Sequence, residues 1–274
     1  MKNKLTIAAI VMLTLSFGVL PSFGPAPVDS YIVQGSSLAA VRSLVTEQGG
    51  EITHELGVIR AVAAELTAAQ VAELRDADGI RRVYDNGVIE TAGKPPKKDG
   101  GDPTDPGTTE PATDTFYTTL INGDAVHQMG IDGTGIGIAV LDTGLWKHTG
   151  IKTDSAGNTR IKAVYNAMTD SVATSPLSGD DPAGHGSHVA SIAVSSLMTD
   201  DGTARYNGVA PGAHLVSVQA FDGNGQGTYA DVIRAIDWVV TNRKKHKIRI
   251  INASFSAEPR SYYWDDPINQ AIMV

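Results

Sequence analysis

Hydrophobic and polar positions alternate with two different periods along this chain, in two stretches separated by a segment that has neither. Between residues 30 and 92, short β runs interleave with helix-period faces. Tyr31-Ile32-Val33 is the first run. Ser36 or Ser37 then caps a helix with Leu38, Val41, Leu44 and Val45 on one face, and Gly49-Gly50 stops it. Glu51–Leu56 and Val58–Ala64 read as two strands joined around Gly57. Thr67 and Gln70 form a capping box for a second helix, with Val71 and Leu74 inward and Gly79 closing it. Ile80–Tyr84 is the last strand. The order β-α-β-β-α-β predicts a small α+β unit of ferredoxin-like topology.

From residue 116 to 274 the pattern is that of alternating strands and helices. Ile136–Leu141 (IGIAVL) is a continuous apolar run, as expected of a strand buried on both faces. His185–Ser195 gives a helix with Val189, Ile192 and Ala193 on a shared face. Leu215–Phe221 is a second strand, Tyr229–Lys244 a helix and Ile248–Asn252 a third strand, which together predict a parallel α/β sheet. Asp266-Pro267 opens a last helix that runs apolar through Ile268–Val274 without a stop signal. On this reading the chain is C-terminally truncated, and the faces of 136–141 and 248–252 are expected to stay partly wet.

Composition separates the two stretches. Residues 93–115 hold five prolines and four glycines, with Ala112 the single apolar residue, so they form a linker rather than a core. At the other end, Lys2 and Lys4 precede a 16-residue apolar run, Leu5–Leu20, and the small residues Ser22, Gly24 and Ala26. Residues 1–26 therefore read as a signal peptide. The run is shorter than the ~20 residues a membrane span needs, which disfavours an anchor. The expected destination is secreted, with membrane contact only through this segment. A net charge of -8 argues against a nucleic-acid partner, and the absence of cysteine leaves external stability to packing.

Two clusters carry chemistry. Asp142 follows directly on the apolar strand, in Asp142-Thr143-Gly144, at the strand end where parallel sheets gather functional groups. Alone, that tripeptide is equally a plain strand-ending turn. Forty-three residues later, Gly184 and Gly186 flank His185 at the mouth of a helix anchored by Val189 and Ile192. A firmly seated imidazole suits a general base. His188 follows at i+3 on the same helix; the zinc-protease spacing is i+4 with an intervening Glu, so metal is disfavoured and a packed His188 is expected.

The blocks IAVLDTG, DPAGHGSHVASI, YNGVAPGAHLVSVQAFDGNGQG and IINASFS, in this order, resemble the signature segments of subtilisin-like serine proteases (subtilases, peptidase S8). The unit at 30–92 resembles the inhibitory, inhibitor I9-type propeptide of that family. The resemblance implies that Asp142 and His185 are the triad aspartate and histidine. It implies that Gly223, Asn224, Gly225 and Ser254, Phe255, Ser256 flank a bound peptide as extra strands. Partners would be protein or peptide substrates and the chain's own propeptide. Phe255 and Ser256 stand where Leu and Gly are usual, which predicts a narrower cleft. No cofactor is required for the chemistry. Calcium is a possible stabiliser, yet the carboxylate that commonly follows the Asp motif as its ligand is missing from residues 145–151; Asp200-Asp201-Gly202 reads as a solvated turn or a calcium loop.

The Gly-Thr-Ser-Met-Ala block that supplies the nucleophile is absent, as is the oxyanion asparagine block. The expectation is a secreted endopeptidase present as a fragment. The alternatives are a non-catalytic protease inhibitor or folding helper, and a peptide-binding pseudoenzyme.

Overall fold

The computed structural model describes residues 26–92, 115–176, 178–200, 202–257, 259 and 261–274. The expected signal segment (1–26, save its last residue) and linker (93–115, save its last residue) lie outside them.

The N-terminal unit consists of β1 (Val28–Gly35), α1 (Leu38–Glu47), β2 (Glu51–Leu56), β3 (Ala61–Thr67), α2 (Ala68–Asp76) and β4 (Ile80–Asp85). The four strands pair antiparallel in the order β2-β3-β1-β4. Both caps use the residues that the spacing singles out. The Ser37 hydroxyl accepts the Ala40 amide, and Thr67 and Gln70 close a reciprocal capping box. One face of this sheet packs on α1 and α2 through Val33, Val41, Val45, Val62, Leu66 and Leu74. The other face, with Ile32, Leu56, Ala61 and Ala63, belongs to a core shared with the rest of the chain.

A short strand, β5 (Val88–Thr91), follows. The larger unit continues with α3 (Tyr117–Leu120), α4 (Gly123–Gln128), β6 (Gly137–Asp142), α5 (Thr149–Lys152), β7 (Ile161–Asn166), β8 (Ser171–Val172) and α6 (His185–Val194). After these come β9 (His214–Gln219), β10 (Gln226–Thr228), α7 (Tyr229–Asn242), β11 (Ile248–Ala253), β12 (Phe255–Ser256) and α8 (Pro267–Ile272). Its main sheet runs β11-β6-β9-β7-β8, parallel throughout except at β8.

The apolar run of β6 is buried at all six positions because both faces are covered. Ile138 and Val140 face the layer containing α6, while Ala139 and Leu141 face the layer containing α7. The expectation of a partly wet strand is therefore wrong for β6. It holds for β11, the sheet edge, where Ile250 and Ile251 remain exposed.

Helices α7 and α8 form the seam between the units. Two residues that precede β5 serve the first turn of α7: the Gly87 carbonyl accepts the Tyr229 amide and the Asn86 side chain accepts the Ala230 amide, both at 2.9 Å. Further along α7, Asp231 bonds His54 at 3.1 Å, and Asp237 accepts the amides of Gly57 and Val58. Gln270 of α8 accepts the buried Gln34 side chain at 2.7 Å, and Arg82 pairs with Asp265 at 2.8 Å. A polar cleft of about 570 Å³ opens at this seam beside His54, Arg234 and Trp238, away from Asp142 and His185.

Candidate active site

Asp142 is the last residue of β6 and is 1% exposed. With β9 on one side and β11 on the other, all parallel, its carboxylate stands at the carboxyl edge of the sheet. The chain must then turn at once. Gly144 does so at φ 134°, where a Cβ would lie 1.9 Å from the Asp180 carbonyl. Gly184 ends the approach to α6 in the left-handed region, at φ 76°. Gly186 lets the first turn of α6 lie against the strand end, since a Cβ there would be 2.4 Å from the Gly144 carbonyl. The glycines on either side of His185 are thus a backbone requirement.

The result is a close pair. His185 Nδ1 lies 2.6 Å from Asp142 Oδ1, which also accepts the Thr143 amide at 2.8 Å. The imidazole is 15% exposed. Burial pushes the Asp142 carboxyl up, while the bonds from His185 and Thr143 oppose that push and the charge of Asp181 adds to it. Beside the pair, the Trp146 amide donates to the Ser187 hydroxyl and its indole Nε1–H to the Asp181 carbonyl, each at 2.7 Å.

The other ring nitrogen is occupied by the N-terminal unit. His185 Nε2 lies 2.9 Å from the Ala92 carbonyl oxygen. Ala92 is placed there because β5 forms the middle strand of a separate sheet, between β10 and β12, antiparallel to both. Beyond the ladder, the Thr91 amide donates to the Gly225 carbonyl and the Ala92 amide to the Ser254 carbonyl, both at 2.9 Å. Ile89 is 1% exposed and shares a core with Phe221, Tyr229 and Phe255. The Phe255 ring lies 5.6 Å from that of Phe221.

Of the six cleft residues picked from the sequence, Gly225, Ser254, Phe255 and Ser256 meet this strand. Gly223 and Asn224 do not pair with it. They lie in a turn in which the Asn224 amide bonds Asp222, and the pairing runs on instead through Gln226–Thr228. His188 is a correction: it is exposed, not packed, because the buried positions of α6 are Gly186, Ser187, Ala190 and Val194. Sequence reasoning also passed over Thr143, Trp146 and Asp181. Asp181 offered one signal, its place four residues before His185 in the quoted block.

Among the described residues no group of three or more His, Cys, Asp or Glu side chains gathers, and Asp201 lies outside them. A side chain at Gly150, in the stretch where a calcium ligand is usual, would meet Leu197 at 2.7 Å. Nearby, the Arg160 guanidinium is fully buried and donates to the carbonyls of Thr153, Val194 and Pro211. Burial lowers its pKa to about 10, against the attraction of Asp154 and Asp132. A side-chain cation already holds these oxygens.

Comparison with known proteins agrees with this architecture. The thermostable alkaline protease of Halalkalibacterium halodurans is 26% identical over 272 residues, covering 99% of this chain and 64% of that protein. Subtilisin E of Bacillus subtilis is 24% identical over 237 residues, covering 86% of this chain and 52% of its own length. The chain thus spans between half and two thirds of these relatives. The crystal structure of fervidolysin, a keratinolytic enzyme of Fervidobacterium pennivorans, matches with a TM-score of 0.59 at 22% identity, over 93% of this chain and 39% of that one. The sequence profile of the subtilase family matches residues 133–273, and the chain belongs to that family of serine proteases.

Proposed function

We propose that this chain is the front part of a secreted serine endopeptidase, with Asp142 and His185 as two members of its triad and residues 30–92 as its inhibitory propeptide. The observation that carries the reading is the His185 ring, bonded to a buried carboxylate at one nitrogen and to the Ala92 carbonyl at the other.

In the chemistry this implies, Asp142 holds the Nδ1–H tautomer and offsets the charge that forms on the ring. Nε2 then takes the proton of an attacking serine hydroxyl. On this reading the nucleophile and the oxyanion asparagine come from the two family blocks that do not occur in these 274 residues. Residues 1–26 direct export on this reading.

The segment Val88–Ala92 lies where a substrate would, adding a strand between Gln226–Thr228 and Phe255–Ser256. The bond from Ala92 to Gly93 is then the first one presented to the catalytic groups. While Val88–Ala92 is docked it fills the cleft that a second peptide would need, so the tail inhibits by occupying the site until it is cut.

The test is turnover of casein by a protein in which the family's serine block follows residue 274. His185→Ala is expected to lower it by about 10⁶-fold, as losing the histidine does in subtilisin. Asp142→Asn is expected to cost about 10⁴-fold by fixing the wrong tautomer. Hydrolysis surviving His185→Ala rejects the assignment.

A further inference from the structure

The turn before α6 carries a second buried carboxylate, which the chemistry above does not use. Asp181 is fully buried, and its side-chain bonds all lead to the surroundings of His185. Its Oδ1 accepts the Thr143 hydroxyl at 2.6 Å and the Gly184 amide at 3.0 Å. Its Oδ2 accepts the Ser187 amide at 2.7 Å. The Thr143 hydroxyl in turn accepts the Gly186 amide at 3.0 Å. One carboxylate therefore holds, directly or through one hydroxyl, the amides on both sides of His185 and the next one along. These amides belong to the helix start, where N–H groups lack intrahelical partners.

The Thr143 hydroxyl has a single proton, and two carboxylates stand near it. Asp181 Oδ1 is at 2.6 Å and Asp142 Oδ1 at 3.3 Å, so the proton points to Asp181. Asp142 Oδ1 keeps its capacity for the Thr143 amide and for His185 Nδ1. That matters because Asp142 Oδ2 has no hydrogen-bond partner among the described residues, so one oxygen serves the histidine.

We propose that Asp181 is a positioning residue for the His185–Asp142 pair: its carboxyl oxygens draw the Thr143 hydroxyl proton away from Asp142 and anchor the first turn of α6. His185 Nδ1 then meets an acceptor at fixed distance whose oxygen is not shared with a hydroxyl. The inference rests on the protease reading for its purpose, but its geometry does not depend on turnover.

The experiment therefore uses the whole 274-residue chain and NMR of the imidazole protons. In the unchanged chain the His185 Nδ1–H gives a low-field signal protected from water. In Asp181→Asn that proton is expected to exchange about ten-fold faster, a typical coupling within one hydrogen-bond network. Thr143→Val, which removes the linking hydroxyl, produces the same change, and Thr143→Ser, which keeps it, does not. If Asp181→Asn fails to fold, Thr143→Val decides alone. A folded Thr143→Val or Asp181→Asn chain with unchanged exchange overturns the proposal, and a merely structural Asp181 gives that result together with a lowered Tm. Failure of the protease reading would instead appear as missing hydrolysis by the protein that carries the serine block, with these spectra intact.

Discussion

How well His185 can act depends on side chains a few ångströms away, and single positions show what sequence alone can convey. Asp142 and His185 were legible because each sits at a break in the hydrophobic pattern: a carboxylate ending an apolar run, and an imidazole between two glycines. Asp181 was not, since an aspartate before proline reads as an ordinary turn until its burial is known. His188 was misread because i+3 spacing puts it close to His185 in projection, yet the buried stripe of α6 runs through other positions. His188→Ala should therefore change Tm by no more than about 0.5 kcal/mol of stability allows; a large loss in a thermal melt would contradict its exposure. Arg160 makes the opposite case. Arg160→Met strands three buried carbonyls and should cost about 3 kcal/mol or more, lowering Tm by about 6–12 °C. A chelator should leave the Tm of the unchanged chain where it was. A melt insensitive to Arg160→Met but sensitive to chelation would show that calcium, not arginine, holds this region.

Long elements were the readable ones. The strand at 136–141 and the helix from Tyr229 were recognised within a few residues, because a buried parallel strand and an amphipathic helix leave long patterns. Missed were β7, whose alternating burial is diluted by Lys162, and the helices α3 to α5, of six residues or fewer. The sheet formed by β5, β10 and β12 has strands of four, three and two residues. Such strands have no local signature and form because β5 arrives between the other two. Its anchor is Ile89. Ile89→Asp puts an unpaired carboxylate in a buried apolar site, and should weaken docking of the strand by about 3 kcal/mol. Hydrogen exchange would register this as lost protection of the Thr91 and Ala92 amides. Protection equal to that of the unchanged chain would mean that β5 is not held by this pocket.

The two units meet along α7, and their union should depend on pH. Burial pushes the Asp231 carboxyl up, but the bonds from His54 and Thr228 outweigh it and hold the group below its ordinary 3.8. A lowered folded pKa means that its contribution is complete above that ordinary value and is lost as pH falls through the lowered one. Asp142 and Asp237, raised by burial, work in the opposite sense, losing their contribution as pH rises through their raised values. Asp231 thus makes the seam sensitive to acid. The fall in Tm from pH 6 to pH 3 should shrink in Asp231→Asn, and an unchanged fall would remove Asp231 as its source.

Both units converge on one bond, and the most direct measurement is made there. In a protein carrying the serine block, mass spectrometry of the products should find cleavage between Ala92 and Gly93, because the Ala92 carbonyl is the one brought to His185. His185→Ala should leave that bond whole. Cleavage at another position, or cleavage that persists in His185→Ala, would contradict the claim that the tail lies in the cleft as the first substrate.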